Sequence, residues 1–363
     1  MLKLCYLADA DSIHTRKWVD YFAKLGHEIH LISMRETNYE FCDNVYVYVI
    51  KPKINQKFGY FFLLNSIRSL VKKIKPDILH SHYASSYGLF GRACNFHPFI
   101  VSVWGSDVYE FPNLNKLNNI LLSFILRGAD TICSTSSNMA METKKYCDNK
   151  EIELTPFGVD IEKFVNINEI MKNTSVTIGV VKSLEEVYGI NYLIEAFSQL
   201  QNMYKDKNLK LMIVGNGSQK ENLVQQCKKL GILSNVIFTG SIDNREVPEY
   251  INKMDIVCIP SLSESFGVSA VEACACGRPV ISTNVGGLTE IVIDNYNGFT
   301  VNPKDSNSIV EKLDYLINNV DEAVRMSFNA RRVVEEKYNW IENAKDMEKL
   351  YDKLVAKRGK HDA

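Results

Sequence analysis

The residues best suited to chemistry lie in one stretch, Pro260-Ser-Leu-Ser-Glu-Ser-Phe-Gly-Val-Ser-Ala-Val-Glu-Ala-Cys-Ala-Cys-Gly-Arg-Pro-Val-Ile281. The apolar run before it, Ile256–Ile259, predicts a strand, and a helix is predicted to start near Gly267. The first amides of a helix have no partner inside it, and the helix dipole there favours an anion. Gly267, lacking a side chain, lets a ligand approach the backbone closely. Glu264 is left on the loop beside those amides, and Glu272 lies further along the helix. Carboxylates for hydroxyls, set beside amides for phosphate, suit a ligand built from a sugar, a diphosphate and a ribose. The same stretch also reads as a surface loop followed by an ordinary helix with two unrelated glutamates. A lone Gly- and Ser-rich turn does not separate the two readings.

The elements that would position these residues repeat a βα rhythm. Leu2–Ala8, Glu28–Ser33, Ile78–Ser81, Phe99–Val103 and Asp130–Ser134 are expected strands. Helical spacing covers Trp18–Leu25, closed by Gly26, and Leu117–Leu126. A second series follows the turn-rich Pro156-Phe157-Gly158-Val159-Asp160. Its strands are Val176–Val181, Lys210–Val214, Val236–Phe238, Ile256–Ile259 and Pro279–Ser282. Its helices are Tyr192–Gln201, Lys220–Leu230, Val247–Lys253 and Val268–Cys276. Two α/β, doubly wound, Rossmann-like domains are therefore expected, with a ligand cleft at the carboxyl ends of their strands. The expected division is 1–165, 166–340 and a terminal helix, 341–363, that crosses back to the first domain with Trp340 as its anchor.

The length of 363 residues suits two domains, and a net charge of −1 argues against a nucleic-acid binder. Nine cysteines without framework spacing read as reduced thiols. The N-terminus reads as a strand rather than a signal peptide, and no apolar run is long enough to span a bilayer. A cytoplasmic protein is expected, with peripheral attachment to the inner face of the membrane as its only membrane contact. Lys51, Lys53, Lys57, Arg68, Lys72, Lys73 and Lys75 surround Phe58–Leu64, a pattern that fits an anionic membrane surface or a helix whose apolar face packs in the core.

The spacing Pro-Ser-x-x-Glu264-x-Phe-Gly-x-x-x-x-Glu272-Ala resembles the donor motif of glycosyltransferase family 4, the retaining transferases of GT-B architecture. The resemblance extends along nearly the whole chain. Gly26-His27-Glu28, the Pro156–Asp160 hinge, Gly215-Asn216-Gly217, Gly286-Gly287-x-x-Glu290 and Asn297-Gly298-Phe299 follow the family's order. It implies that Glu264 contacts the donor sugar, that Phe266, Gly267 and Val268 hold sugar and phosphate through their amides, and that Glu272 holds the ribose. By position it also implies Ser183, Gly215, Gly240 and Ile242 on the donor side.

The chain departs from the family's pattern in three places. Where an Arg and a Lys usually neutralise the leaving diphosphate, Lys182 and Tyr188 stand, so one cation survives as a point charge. The usual Gly-Gly loop after the first strand reads Ala8-Asp-Ala-Asp-Ser-Ile-His-Thr15. The usual histidine before Gly-x-Asp is Trp104, followed by Gly105-Ser-Asp107. Asp107 is expected in the cleft as a catalytic group together with Glu264 and Lys182, with Ser12, His14, His82 and Trp104 on the acceptor side. The function implied is metal- and cofactor-free transfer of a hexose or N-acetylhexosamine, from a UDP-sugar in preference to a GDP-sugar, to a glycan or lipid-linked acceptor in cell-surface polysaccharide or glycoconjugate synthesis. The leaving phosphate would take the acceptor proton. The alternatives are a catalytically weak nucleotide-sugar-binding subunit of a partner transferase, or a sugar-nucleotide epimerase of the same architecture.

Overall fold

The computed structural model describes residues 1–51, 57–147, 150–172 and 175–361, with the backbone alone for 57–62 and 360–361. They divide into two compact units, Met1–Pro156 with Asn343–Ala363, and Phe157–Glu342.

The first unit carries seven parallel strands: β1 (Lys3–Leu7), β2 (Glu28–Ser33), β3 (Val45–Val49), β4 (Ile78–His82), β5 (Phe99–Val103), β6 (Thr131–Ser134) and β7 (Ile152–Leu154). Their order is β3-β2-β1-β4-β5-β6-β7. The central strands β4 and β5 are buried along their whole length, as parallel strands covered on both faces are, although β4 carries His80, Ser81 and His82. At the edge, β3 alternates Val and Tyr and stays half exposed. It is not among the expected strands, although its Val–Tyr alternation is a strand pattern. Gly26 closes the helix Ile13–Lys24 at φ +85°, a left-handed conformation that suits glycine.

The helix Lys57–Ile74 turns Leu63, Ile67, Val71 and Ile74 into the core, among Phe90, Phe99 and Leu122. The described side chains of this helix thus follow the core-packing alternative of that pattern. Lys53 and the side chains of 57–62 lie outside the described residues.

Tyr351, on the last helix Trp340–His361, is buried in this same unit. Its ring packs on Phe22 at 4.9 Å, and its hydroxyl lies 3.0 Å from that of Tyr6 and 2.6 Å from His80 Nδ1.

The second unit carries six parallel strands, β8 (Ser175–Val181), β9 (Asn208–Val214), β10 (Val236–Gly240), β11 (Ile256–Ile259), β12 (Val280–Thr283) and β13 (Gly298–Val301), ordered β10-β9-β8-β11-β12-β13. The segment 157–165, expected with the first domain, belongs here. The Val159 amide donates to Tyr338 O, and Trp340 N donates to Val159 O. Arg331 donates to the carbonyls of Ile161 and Phe164. The buried Arg278 donates to Asn166, Asn168 and Asn252. Arg331, on the helix Val320–Lys337, thus ties the segment 157–165 to this unit and Arg278 holds the residues that follow it, which moves the boundary back to Pro156.

All nine cysteines carry free thiols, eight of them buried.

Candidate active site

In the second unit the strand order reverses between β8 and β11, which pair directly. Ligands of open parallel sheets bind beyond the carboxyl ends of the strands at such a reversal. Lys182 is the first residue after β8, and Glu264 lies on the loop after β11. The Lys182 ammonium stands 2.5 Å from Glu264 Oε2, and the two side chains are 14% and 10% exposed. The same ammonium lies 4.4 Å from the centre of the Tyr188 ring, a cation–π contact.

Glycines hold the loops at this spot. A Cβ on Gly215 (φ +137°) would stand 2.0 Å from Lys182 O, and one on Gly286 (φ +48°) 1.7 Å from Glu264 O. The Gly287 amide donates to Glu264 O at 3.2 Å. The loops after β9 and β12 therefore clamp the backbones of Lys182 and Glu264 from either side. Gly240, ending β10, accepts from the Gly215 amide at 3.0 Å, and the half-buried Ile242 follows on the same loop.

The helix Val268–Ala275 starts from Gly267 at φ +111° with no side-chain cap, so its first amides point outward at the loop end. Val268 is half-buried at its start, and Glu272 is half-buried further along. Phe266 faces the other way. It is buried, with ring contacts to Phe157 at 5.8 Å and Tyr338 at 5.7 Å. Its side chain anchors the loop, leaving only its backbone for a ligand. Ser183 is exposed beside Lys182. An ammonium, a carboxylate and outward amides can together bind a polyhydroxyl group beside a diphosphate.

In the first unit the reversal falls between β1 and β4. His82 ends β4, and Ser12 and His14 follow β1. His82 Nδ1 lies 3.5 Å from Thr15 Oγ1, while its Nε2 is buried with no hydrogen-bond partner among the described residues. The Trp104 ring stands 4.7 Å from His82 and 5.8 Å from His14. His14, His82 and Trp104 do converge, while Ser12 caps the helix Ile13–Lys24, its amide donating to Asp9 O and its carbonyl accepting from Arg16 N. Burial lowers the pKa of His14 to about 4 and that of His82 well below the ordinary value, so both are neutral near pH 7.

Asp107 does not join them as a free catalytic group. It is fully buried, with Oδ2 accepting from Ala84 N (2.7 Å) and Oδ1 from Gly105 N (2.8 Å) and Trp104 N (3.1 Å). Burial raises its pKa, opposed by those amides. The geometry corrects the sequence reading: Asp107 ties the Trp104 loop to the start of the Ala84–Gly88 turn.

Two features escaped the sequence. Tyr188 read only as a lost cation, because nothing local says that its ring lies over Lys182. The Tyr6–Tyr351–His80 network joins residues up to 345 positions apart, beyond any local signal.

Two doubly wound parallel sheets, each with its polar residues gathered where the strand order reverses, define the GT-B class. Residues 162–333 match the family described as Glycosyl transferases group 1, and residues 3–136 that described as Glycosyl transferase 4-like. The chain belongs to these family-4-type glycosyltransferases. It is 27% identical over 336 residues to an uncharacterised glycosyltransferase of Methanocaldococcus jannaschii, covering 90% of each chain. It is 24% identical over 349 residues to the N-acetyl-alpha-D-glucosaminyl L-malate synthase of Bacillus anthracis, covering 91% of this chain and 90% of that one. Among solved structures, Anabaena HepE in complex with UDP-glucose superposes with a TM-score of 0.80 at 18% identity, over 98% of this chain and all of that one.

Proposed function

We propose that this glycosyltransferase moves a hexose or N-acetylhexosamine, with retention of configuration, from a nucleotide diphosphate sugar to a glycan or lipid-linked acceptor. The observation that carries the reading is the Lys182–Glu264 pair at the strand-order reversal, beside the uncapped start of the helix Val268–Ala275. Lys182 and the outward amides are suited to a diphosphate, Glu264 to sugar hydroxyls and Glu272 to the ribose. A UDP donor is favoured, since a structure of the same fold is described with UDP-glucose bound.

In this reading the bond from the sugar's anomeric carbon to the phosphate oxygen breaks and a bond from that carbon to the acceptor oxygen forms on the same face. The acceptor's proton passes to the leaving phosphate. The protein's part is positioning and stabilisation of the diphosphate charge. Glu264→Ala tests it. Transfer from the preferred donor in a UDP- and GDP-sugar panel should fall by about a hundredfold or more, the scale of losing one preorganised polar contact. Wild-type turnover would sink the assignment.

A catalytically weak donor-binding subunit is the second reading, favoured by the one surviving cation being already paired with Glu264. Donor binding by the isolated protein without slow donor hydrolysis would support it.

We also propose peripheral contact with an anionic membrane, through the helix Lys116–Gly128. Leu117 (77% exposed), Ile120 (65%) and Phe124 (51%) form one stripe along it, continued by Leu114. Lys116, Arg127 and Arg92 lie beside the stripe, and the helix itself carries no acidic residue. Among the described residues no helix is long and apolar enough to cross a membrane.

A further inference from the structure

Tyr188 is the residue of the donor loop that the proposed function leaves without a task. It closes the short turn Glu186–Tyr188, and Gly189 follows at φ +60°, where a Cβ would stand 2.2 Å from Pro260 O. The Leu262 amide donates to Val187 O at 2.7 Å. The turn that carries Tyr188 is therefore stitched to the loop that carries Glu264. On its other side, Leu184 N donates to Asn216 O, and Glu185 takes both the amide and the hydroxyl of Ser218. Tyr188 is thus held in place independently of Lys182, with its ring 4.4 Å from the Lys182 ammonium.

That geometry leaves Lys182 with two neighbours of unequal kind. Glu264 satisfies its charge with a hydrogen-bonded ion pair. The Tyr188 ring attracts the cation without occupying any of its three N–H donors in a directed bond. A diphosphate arriving beside Glu264 competes with the carboxylate for the ammonium, while the ring keeps its hold through the exchange.

We propose that Tyr188 is a positioning residue for Lys182. Its ring stands where a second cation would otherwise sit, and it keeps the single ammonium within reach of both partners as Lys182 passes from Glu264 in the empty site to the donor's diphosphate. The inference rests on the donor-site reading above. The ring is what acts, and the hydroxyl is dispensable.

The test compares Tyr188→Phe, Tyr188→Leu and Tyr188→Lys in the full chain. UDP and GDP are titrated by calorimetry at two salt concentrations, and [ε-13C]lysine spectra are recorded without ligand. The aromatic ring should shift the Lys182 Hε signal in wild type and in Tyr188→Phe, and the shift should vanish in Tyr188→Leu. For the nucleotide that binds wild type, Tyr188→Phe should stay within about twofold. Tyr188→Leu should bind about tenfold more weakly, the size expected of a partly desolvated cation–π contact. Tyr188→Lys should bind more tightly at low salt and lose more affinity as salt rises, since a second cation is restored.

A merely structural role would lower the melting temperature of Tyr188→Leu without moving the salt dependence of Tyr188→Lys. Wild-type nucleotide affinity in Tyr188→Leu, an unshifted Lys182 signal in wild type, or equal losses in the Phe and Leu variants would each overturn the proposal. If wild type binds neither UDP nor GDP, the donor-site reading falls by itself, and the lysine spectra still decide whether Tyr188 holds Lys182.

Discussion

The ammonium of Lys182 and the carboxylate of Glu264 stand 2.5 Å apart although 82 residues separate them in the chain. Both are mostly removed from water, so the pair differs from the surface ion pairs that contribute little to stability. Removing one partner of such a pair leaves a poorly solvated charge. Lys182→Met and Glu264→Gln are each expected to lower unfolding stability by about 1–3 kcal/mol, and the double variant should recover most of that loss. Urea denaturation of the four proteins measures the coupling. Additive losses would show that the two groups do not interact in solution.

Asp107 is expected to act through the fold. Asp107→Asn keeps the volume but puts an NH2 group among three backbone N–H donors, at a cost of about 1–3 kcal/mol for an unsatisfied buried group. Activity and melting temperature should fall together. A variant that melts like wild type yet transfers no sugar would instead make Asp107 a catalytic group.

The buried histidines of the first unit give stability a pH dependence whose sign is fixed. Burial lowers the pKa of His80 to about 3 and that of His14 to about 4, and holds His82 well below its ordinary value. The unfolded chain, with histidines near their usual value of about 6.5, takes up protons that the folded chain refuses. Stability is therefore present above about pH 6.5 and declines as pH falls toward 5, by up to about 1.4 kcal/mol per pH unit for His80 alone. Thermal melts between pH 7.5 and 5 should show the decline, and His80→Gln should make it shallower. A melting temperature independent of pH over that range would contradict the burial of these rings.

The exposed stripe on the helix Lys116–Gly128 predicts flotation with vesicles containing phosphatidylglycerol at low salt. Replacing Leu117, Ile120 and Phe124 by serine should abolish it with only a small loss of melting temperature, because all three are more than half exposed and the Phe124 ring gives up a contact with the Arg92 guanidinium at 4.8 Å. If wild type stays with the soluble fraction, the membrane reading fails. If the triple variant still floats, membrane contact lies elsewhere on the chain.

Much of the fold is legible along the chain because it is encoded locally. Apolar runs such as Ile256–Ile259 give the strands, 3.6-residue spacing gives the helices, and Gly26 and Gly267 mark helix ends through their backbone freedom. The Glu264–Glu272 spacing places one carboxylate before the helix Val268–Ala275 and one inside it, whatever surrounds them. What lies across the sheet is not encoded locally. The order β10-β9-β8-β11-β12-β13 decides that the loops after β8 and β11 are neighbours, and so that Lys182 meets Glu264. Only the packed loops put the Tyr188 ring over the ammonium, and only burial makes Asp107 a fastening of the Trp104 loop. Residue type and spacing set which groups are available. Strand pairing and desolvation, which depend on residues far apart in sequence, decide which of them face a ligand and in what charge state.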